Sequence, residues 1–314
     1  MVLPAESRQY RCSETEAPAA GSPAAGSVFA ETWLDLRERA DHAARAGLLH
    51  PPLNDWLQQR AGQSRQPLQL VDLGCGHGSN LRYLAPRLTG PQQWLLVDHD
   101  AALLERTSQR CARLTDDRAQ PIHVARRQAD LQQPLALDFE HADLISASAL
   151  LDLVSHQWLE QLAECCHRHA AAALLTLSID GVIELCDASG QRCEDERDRQ
   201  LFEALAHHQQ RDKGFGTALG SDAPAAARAI FEASGHRVTT ARSDWHLAAA
   251  RDDDCTLLRQ LFKGWQQALM EQLPTQQAVI TEWYHRHLRQ LDAGRLGARI
   301  GHLDLLALPP DGAK

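Results

Sequence analysis

The stretch Val71-Asp-Leu-Gly-Cys-Gly-His-Gly78 decides how the chain is read. It closes a short apolar run that begins at Leu68 and opens a helical pattern over Asn80 to Leu88. Gly74, Gly76 and Gly78 thus fall in a strand-to-helix turn, where a ligand approaches the main chain most closely and a Cβ would stand in its way. A tight turn that binds nothing has no need of three alternating glycines.

Outward from this turn the chain alternates between strand and helix patterns. A strand at Trp94 to Val97 leads into a helix from about Ala101, with Asp100 at its N-cap and Leu103, Leu104 and Cys111 on its inner side. Further strands are expected at Ile122 to Arg126, Ala142 to Ser146 and Ala172 to Ser178. The last is an almost continuous apolar run, as a parallel strand covered on both faces requires. Ser155 stands where it would cap a helix carrying Trp158, Leu159, Leu162 and Cys166. Residues 181–221 are mostly polar and interrupt the alternation, with a helix around Glu194 to His208. A helix over Ala223 to Ser234, capped by Asp222 and stopped by Gly235, returns the chain to a strand near Val238 to Leu247. Two helical patterns, about Cys255 to Leu273 and Gln276 to Leu291, precede a final strand at Ile300 to Leu308. Alternating units of this kind predict an α/β fold: a Rossmann-like, seven-stranded, mostly parallel sheet with helices on both faces.

Ahead of the sheet, Trp33, Leu36, Ala40, Ala44 and Leu48 recur at helical spacing, which predicts one amphipathic helix ended by Pro51-Pro52. Sixteen of the first thirty residues are Ala, Gly, Ser or Pro, too little apolar surface to offset ordering entropy, so 1–28 reads as a disordered tail. The remainder, 29–314, reads as a single domain. Within it, 29–60 is an N-terminal helical cover, 66–180 the ligand-binding core, 181–221 a substrate lid and 252–295 a helical insertion.

A net charge of −9, with no basic stripe interleaved with aromatics, argues against broad nucleic-acid binding, in which Lys and Arg must neutralise phosphates. No apolar run approaches the roughly 18 residues of a membrane span, and no basic-then-apolar signal opens the chain, so the expected location is cytoplasmic. The eight cysteines fall at irregular spacings without a Cys-x-x-Cys pair and read as reduced, mostly buried thiols. Cys165-Cys166-His167-Arg-His169 is rich in metal-ligand types, but adjacent residues on one helix face different ways, and no metal is expected.

The order Asp-x-Gly-x-Gly-x-Gly resembles motif I of class I S-adenosylmethionine-dependent methyltransferases, and the resemblance covers roughly Leu68 to Ser178. A nicotinamide fingerprint would need its third glycine at position 79, which is Ser79. The resemblance implies S-adenosylmethionine as cofactor and S-adenosylhomocysteine as product. It places Asp98, the end of Trp94-Leu-Leu-Val-Asp98, on the ribose hydroxyls, which an ionised carboxylate accepts well. NAD-binding folds carry an acid at a similar place, so Asp98 alone does not choose the cofactor. Asp130 and Leu131 would meet the adenine, and Asp72 would lie near the cationic amino group of the methionine part. His99 and Ser146 complete the expected cofactor set. On the first helix Trp33, Arg37, Asp41 and Arg45 form one drifting stripe, from which Arg37 or Arg45 would pair with the cofactor carboxylate.

The segment Asp143 to Ser155 would end at the transfer site. It contains no Asn/Asp-Pro-Pro-Tyr element and no Pro-Cys nucleophile, so a nucleic-acid base is a poor substrate and a small molecule the expected acceptor. Methyl transfer from a sulfonium is an in-line displacement that depends on positioning, helped by a base where the acceptor must lose a proton. Candidates for that base are Asp152, Asp180 and His208, with His156 and His207 beside them, all on or after strand ends that face the crevice. The run His207 to Gly216 carries Arg211, Lys213 and Phe215 near glycines, as a hinged lid would, and with Trp33 these are the expected substrate contacts. Arg211 and Lys213 point to an anionic group on the acceptor. A monomer or homodimer without nucleic-acid or membrane partners is expected. Two alternatives stay open: an NAD-dependent oxidoreductase, for which no Tyr-x-x-x-Lys element is found, and a non-catalytic methyltransferase-like binding or regulatory protein, which has no need of a complete pocket.

Overall fold

A computed structural model describes residues 31–63, 66–133, 139–212, 215–248 and 250–310. The expected tail, 1–28, and the expected substrate contact Lys213 lie outside the described residues.

Two helices lead in, α1 (Glu31–Ala44) and α2 (His50–Gln63), separated by a 3-10 turn at Gly47–Leu49. The sequence predicts one helix ended by Pro51-Pro52. Instead the prolines sit in the first turn of α2, where an N–H would have had no intrahelical acceptor and the fixed φ suits a helix start. There follow β1 (Leu68–Leu73), α3 (Ser79–Leu84), β2 (Gln92–Asp98), α4 (Ala101–Arg110), β3 (His123–Gln128), β4 (Leu144–Ser148), α5 (His156–Arg168) and β5 (Ala172–Cys186). The chain closes with α6 (Glu196–Gln209), α7 (Ala223–Ala233), β6 (Arg237–Arg242), β7 (Trp245–Leu247), α8 (Asp252–Gln272), α9 (Gln277–Asp292) and β8 (Gly297–Leu308).

The strands form one sheet in the order β3-β2-β1-β4-β5-β8-β6, with β7 also on β8. The first five are parallel, and β8 runs antiparallel to β5, β6 and β7. The expected Rossmann-like α/β architecture is present, with eight strands among the described residues in place of seven. The extra strand comes from an interruption at Ser243-Asp244. The register carries across it, Arg242 opposite Leu303 and Trp245 opposite Ile300. Asp244 turns its carboxylate inward there, accepting the His302 N–H at 3.0 Å and pairing with Arg242 at 2.6 Å and Arg299 at 2.7 Å.

The caps at Asp100 and Ser155 are made: Asp100 accepts from Ala102 N (2.8 Å) and Leu103 N (3.1 Å), and Ser155 Oγ from Trp158 N (3.3 Å). Asp222 makes no cap, and its carboxylate accepts from Gln210 Nε2 at 3.0 Å instead. The larger departure is β5, which continues through Cys186 into the region read as a lid. Two irregularities, after Leu175 and after Ile179, let it follow β8 beyond the main sheet.

The apolar residues divide into three clusters. Trp158, Leu159, Leu162 and Phe231 pack α5 and α7 against one face of the sheet, and Leu53, Leu57, Leu81 and Leu84 pack α2 and α3 against the other. Phe202, Phe262, Trp265 and Trp283 join α6, α8 and α9 to the β5–β8 extension, with Leu185 and the α1 residue Ala40 in the same cluster. No helix among the described residues is long and apolar enough to cross a membrane.

Candidate active site

Strand order alone locates the crevice. From β1 the chain steps to β2 and β3 on one side and returns to β4 on the other, so the strand ends separate at β1 and β4. The glycine turn crosses this gap. Cys75 N donates to Val97 O at 3.1 Å and Gly78 N to Cys75 O at 2.9 Å, while Gly74 and Gly76 take φ of +62° and +53°, a region that side chains with a Cβ avoid. The cavity above the turn has a volume of about 290 Å³.

Each carboxylate at a strand end has defined partners. Asp98, closing β2, accepts the Gly76 N–H on Oδ2 at 2.8 Å and the Asp100 N–H on Oδ1 at 2.9 Å, so it holds the turn to the start of α4. Each oxygen keeps lone-pair capacity for a ligand hydroxyl. Asp130 accepts from Gln132 N at 2.9 Å on Oδ1. Asp72 is fully buried: Oδ1 accepts from Asn80 Nδ2 (2.5 Å) and Ser146 Oγ (2.9 Å), and Oδ2 has no partner. Burial pushes its carboxyl up to about 6, against the pull of Asn80, Ser146 and Arg45.

Helix α1 roofs the cavity with Leu34 and Arg37. Its acids Glu31, Asp35 and Glu38, one and two turns apart, reach the protein below. Glu31 pairs with Arg106 at 2.9 Å, Asp35 bonds Arg110 at 3.0 Å, and Glu38 bonds Arg82 at 2.6 and 2.9 Å. His77 of the glycine turn lies 3.2 Å from Asp35. Burial and the neighbouring Arg82 hold its imidazole below the ordinary histidine range, toward the neutral form. Asp35, Glu38 and His77 bring three metal-ligand atoms within 4.8 Å of one another, but Arg110 and Arg82 already neutralise the two carboxylates.

Of the residues selected from sequence, Asp72, Gly74, Gly76, Asp98, His99, Asp130, Leu131, Arg37 and Phe215 line this cavity together. Gly78 and Ser146 stand behind the wall, Gly78 at the start of α3 with φ +86° and Ser146 beneath Asp72. The proposed bases are not brought to it. Asp180 bonds Arg242, His208 Nε2 lies 3.0 Å from Glu271, and Asp152 stands at the Gly220 turn, its carbonyl accepting the Gly220 N–H at 3.1 Å. Arg211 donates to Gln272 at 2.7 Å, and Trp33 packs into the third apolar cluster. For Asp180, His208 and Arg211 a partner remote in sequence claims the side chain. Arg37 is held by Asp41 at 2.8 Å and lies 5.2 Å from the Trp245 ring centroid. Sequence reasoning missed Leu34, His77, Asn80, Ser148, Leu150 and Leu153, all on the wall. Asn80, next but one to the last glycine of the turn, and the acids of α1 at i, i+4 and i+7 were the signals available.

A family model described as a methyltransferase domain matches residues 71–175, which span the glycine turn, Asp98, Asp130 and the first five strands' crevice. Residues 71–175 thus form a methyltransferase domain, and S-adenosylmethionine is its cofactor. No curated protein matches its sequence. Among solved structures, the chain is similar to the cyclopropane synthase MmaA2 from Mycobacterium tuberculosis at 13% identity, over 76% of this chain and 78% of that one, with a TM-score of 0.38. It is similar to geranyl diphosphate C-methyltransferase from Streptomyces coelicolor at 14% identity, over 76% and 69% of the two chains, with a TM-score of 0.40. A phospholethanolamine N-methyltransferase from Haemonchus contortus matches at 12% identity, over 82% and 53%, with a TM-score of 0.36.

The residues present fit S-adenosylmethionine. A buried anionic oxygen without a partner, Asp72 Oδ2, is costly unless a cation or donor meets it, and the methionine end of S-adenosylmethionine carries both. At Gly76 a Cβ would come 3.2 Å from Leu34 Cδ1 and close the space between turn and roof.

Proposed function

We propose that the chain is a class I S-adenosylmethionine-dependent methyltransferase that acts on a small-molecule acceptor, with the cofactor held by Gly74, Gly76, Asp72, Asp98 and Asp130 and its carboxylate met by Arg37. The observation that carries the reading is the roofed cavity. At about 290 Å³ it lies close to the lower bound for small-ligand sites, roughly 300–1,000 Å³, and Leu34 and Arg37 of α1 form part of its wall. Among the described residues Arg37 is the only lysine or arginine on the wall, which also speaks against a phosphate-rich polymer.

The cofactor supplies an electrophilic methyl on a sulfonium. The chain's part is to hold both reactants in line and to keep water out, contributions that reach about 7–11 kcal/mol of the barrier when the geometry is good. Asp152, Asp180 and His208 stand off the wall, so positioning rather than proton removal is the role we assign to this site. We place the protein in the cytoplasm as a monomer or homodimer.

The test is parallel calorimetric titration with S-adenosylmethionine, S-adenosylhomocysteine and NAD, followed by an acceptor screen that reads S-adenosylhomocysteine release. Binding of the two adenosyl ligands and not of NAD, with turnover on a small acceptor, is the expected result. Turnover confined to a nucleic acid or protein would overturn the reading.

A further inference from the structure

Arg45, one of the two cations that the sequence offers to the cofactor carboxylate, is absent from the cavity wall. It follows α1, is nearly fully buried, and donates Nη1 to Ser148 Oγ at 2.9 Å and Nη2 to Asn80 Oδ1. Asn80 then donates Nδ2 to Asp72 Oδ1 at 2.5 Å. The two ends set the amide's orientation, oxygen toward the guanidinium and nitrogen toward the carboxylate. All of Asp72's donors collect on Oδ1, and Oδ2 remains without one.

We propose that Arg45 is a positioning residue: acting through the Asn80 amide, it keeps the buried Asp72 carboxylate ionised and aimed, with Oδ2 open to the cationic methionine end of the cofactor. This rests on S-adenosylmethionine being the cavity's ligand. The groups that face Asp72 come from every element around it. Asn80 of α3 and Ser146 of β4 donate to it, Arg45 attracts the anion, and Asp98 of β2 opposes it. The thiols of Cys75 and Cys111 also face it, and burial pushes both up, so they stay neutral. Asp304 and Asp41 also attract Arg45's charge. Arg45 is the cation that favours the ionised form of Asp72, and without it burial and Asp98 push the carboxyl toward protonation.

The experiment is calorimetric titration of S-adenosylhomocysteine into the full chain from about pH 5 to about pH 8.5, for the wild type and for Arg45→Met, Asn80→Ala and Asp72→Asn. Wild-type affinity is expected to fall below about pH 6 as Asp72 protonates. In Arg45→Met that midpoint moves up, so binding weakens a few-fold at pH 7 and by little at about pH 8.5. Asn80→Ala, which keeps the Arg45 charge and cuts the link, moves the midpoint the same way and covers the case in which Arg45→Met does not fold. Asp72→Asn binds weakly with no midpoint near 6. The ligand's own amino group titrates alike in every variant. Equal weakening at all pH values, or an unmoved midpoint in the folded variants, overturns the role of Arg45. Failure of the wild type to bind at any pH overturns the cofactor assignment, and this inference with it.

Discussion

Replacing Asp98 by Asn tests the site at its most connected carboxylate. Asp98 accepts two main-chain N–H groups, from Gly76 at 2.8 Å and Asp100 at 2.9 Å, and both oxygens are needed. An amide has one accepting oxygen, so its NH₂ end must face one of those N–H donors, and it also presents donors where a ribose hydroxyl would donate. Loss of a charge-assisted hydrogen bond costs about 1.5–3 kcal/mol, which at about 1.4 kcal/mol per decade is a roughly 10- to 100-fold weaker Kd for S-adenosylhomocysteine. Freeing one main-chain anchor of the turn should lower the stability of the unliganded protein by a further ~1 kcal/mol. Calorimetry gives the first quantity and urea unfolding without ligand the second. A Kd within about threefold of wild type, with the protein folded, would refute the placement of the ribose on Asp98.

Gly76→Val puts a β-branched residue at φ +53°, a strain of about 1–3 kcal/mol, and a Cβ 3.2 Å from Leu34 Cδ1. The variant is expected to fold with a lowered Tm and to show no calorimetric binding of S-adenosylhomocysteine; retained affinity would mean that the ligand does not approach this turn. A second test uses His302, which burial, with Arg37 nearby, pushes down to about 4. Its unfolded value is near 6.5, so the unfolded chain takes up the proton first, and stability held above about pH 6.5 is lost as the pH falls toward 4, by about 3 kcal/mol. Urea midpoints across that range should fall in the wild type and fall less in His302→Phe, and identical slopes for the two proteins would remove His302 from the acid response.

Features that depend on near neighbours in the chain were legible in the sequence. The strand-turn-helix around Gly74 to Gly78, the caps at Asp100 and Ser155, and the continuous apolar run of β5 follow from spacing within a dozen residues, and the structure keeps them. The cofactor wall is legible for the same reason, since Asp72, Asp98 and Asp130 each lie at or just past the end of a strand. Pro51-Pro52 shows where local signals divide: the same dipeptide ends one helix or starts the next, and only the direction of the following chain tells which.

By itself, then, the sequence determined the α/β alternation, the glycine turn and the strand-end acids, because these rest on backbone sterics and short-range periodicity. Only the tertiary structure decided which polar side chains reach the cavity. Asp180 is claimed by Arg242, His208 by Glu271 and Arg211 by Gln272, each about sixty residues away, and Arg45 is drawn under the floor by Ser148. The continuation of β5 past Ser178 is of the same kind, since its partner β8 lies more than a hundred residues on. A buried charge must find a counter-charge or a donor, and a strand must pair its main chain. Both partners are chosen by proximity in the folded molecule, which no local pattern encodes.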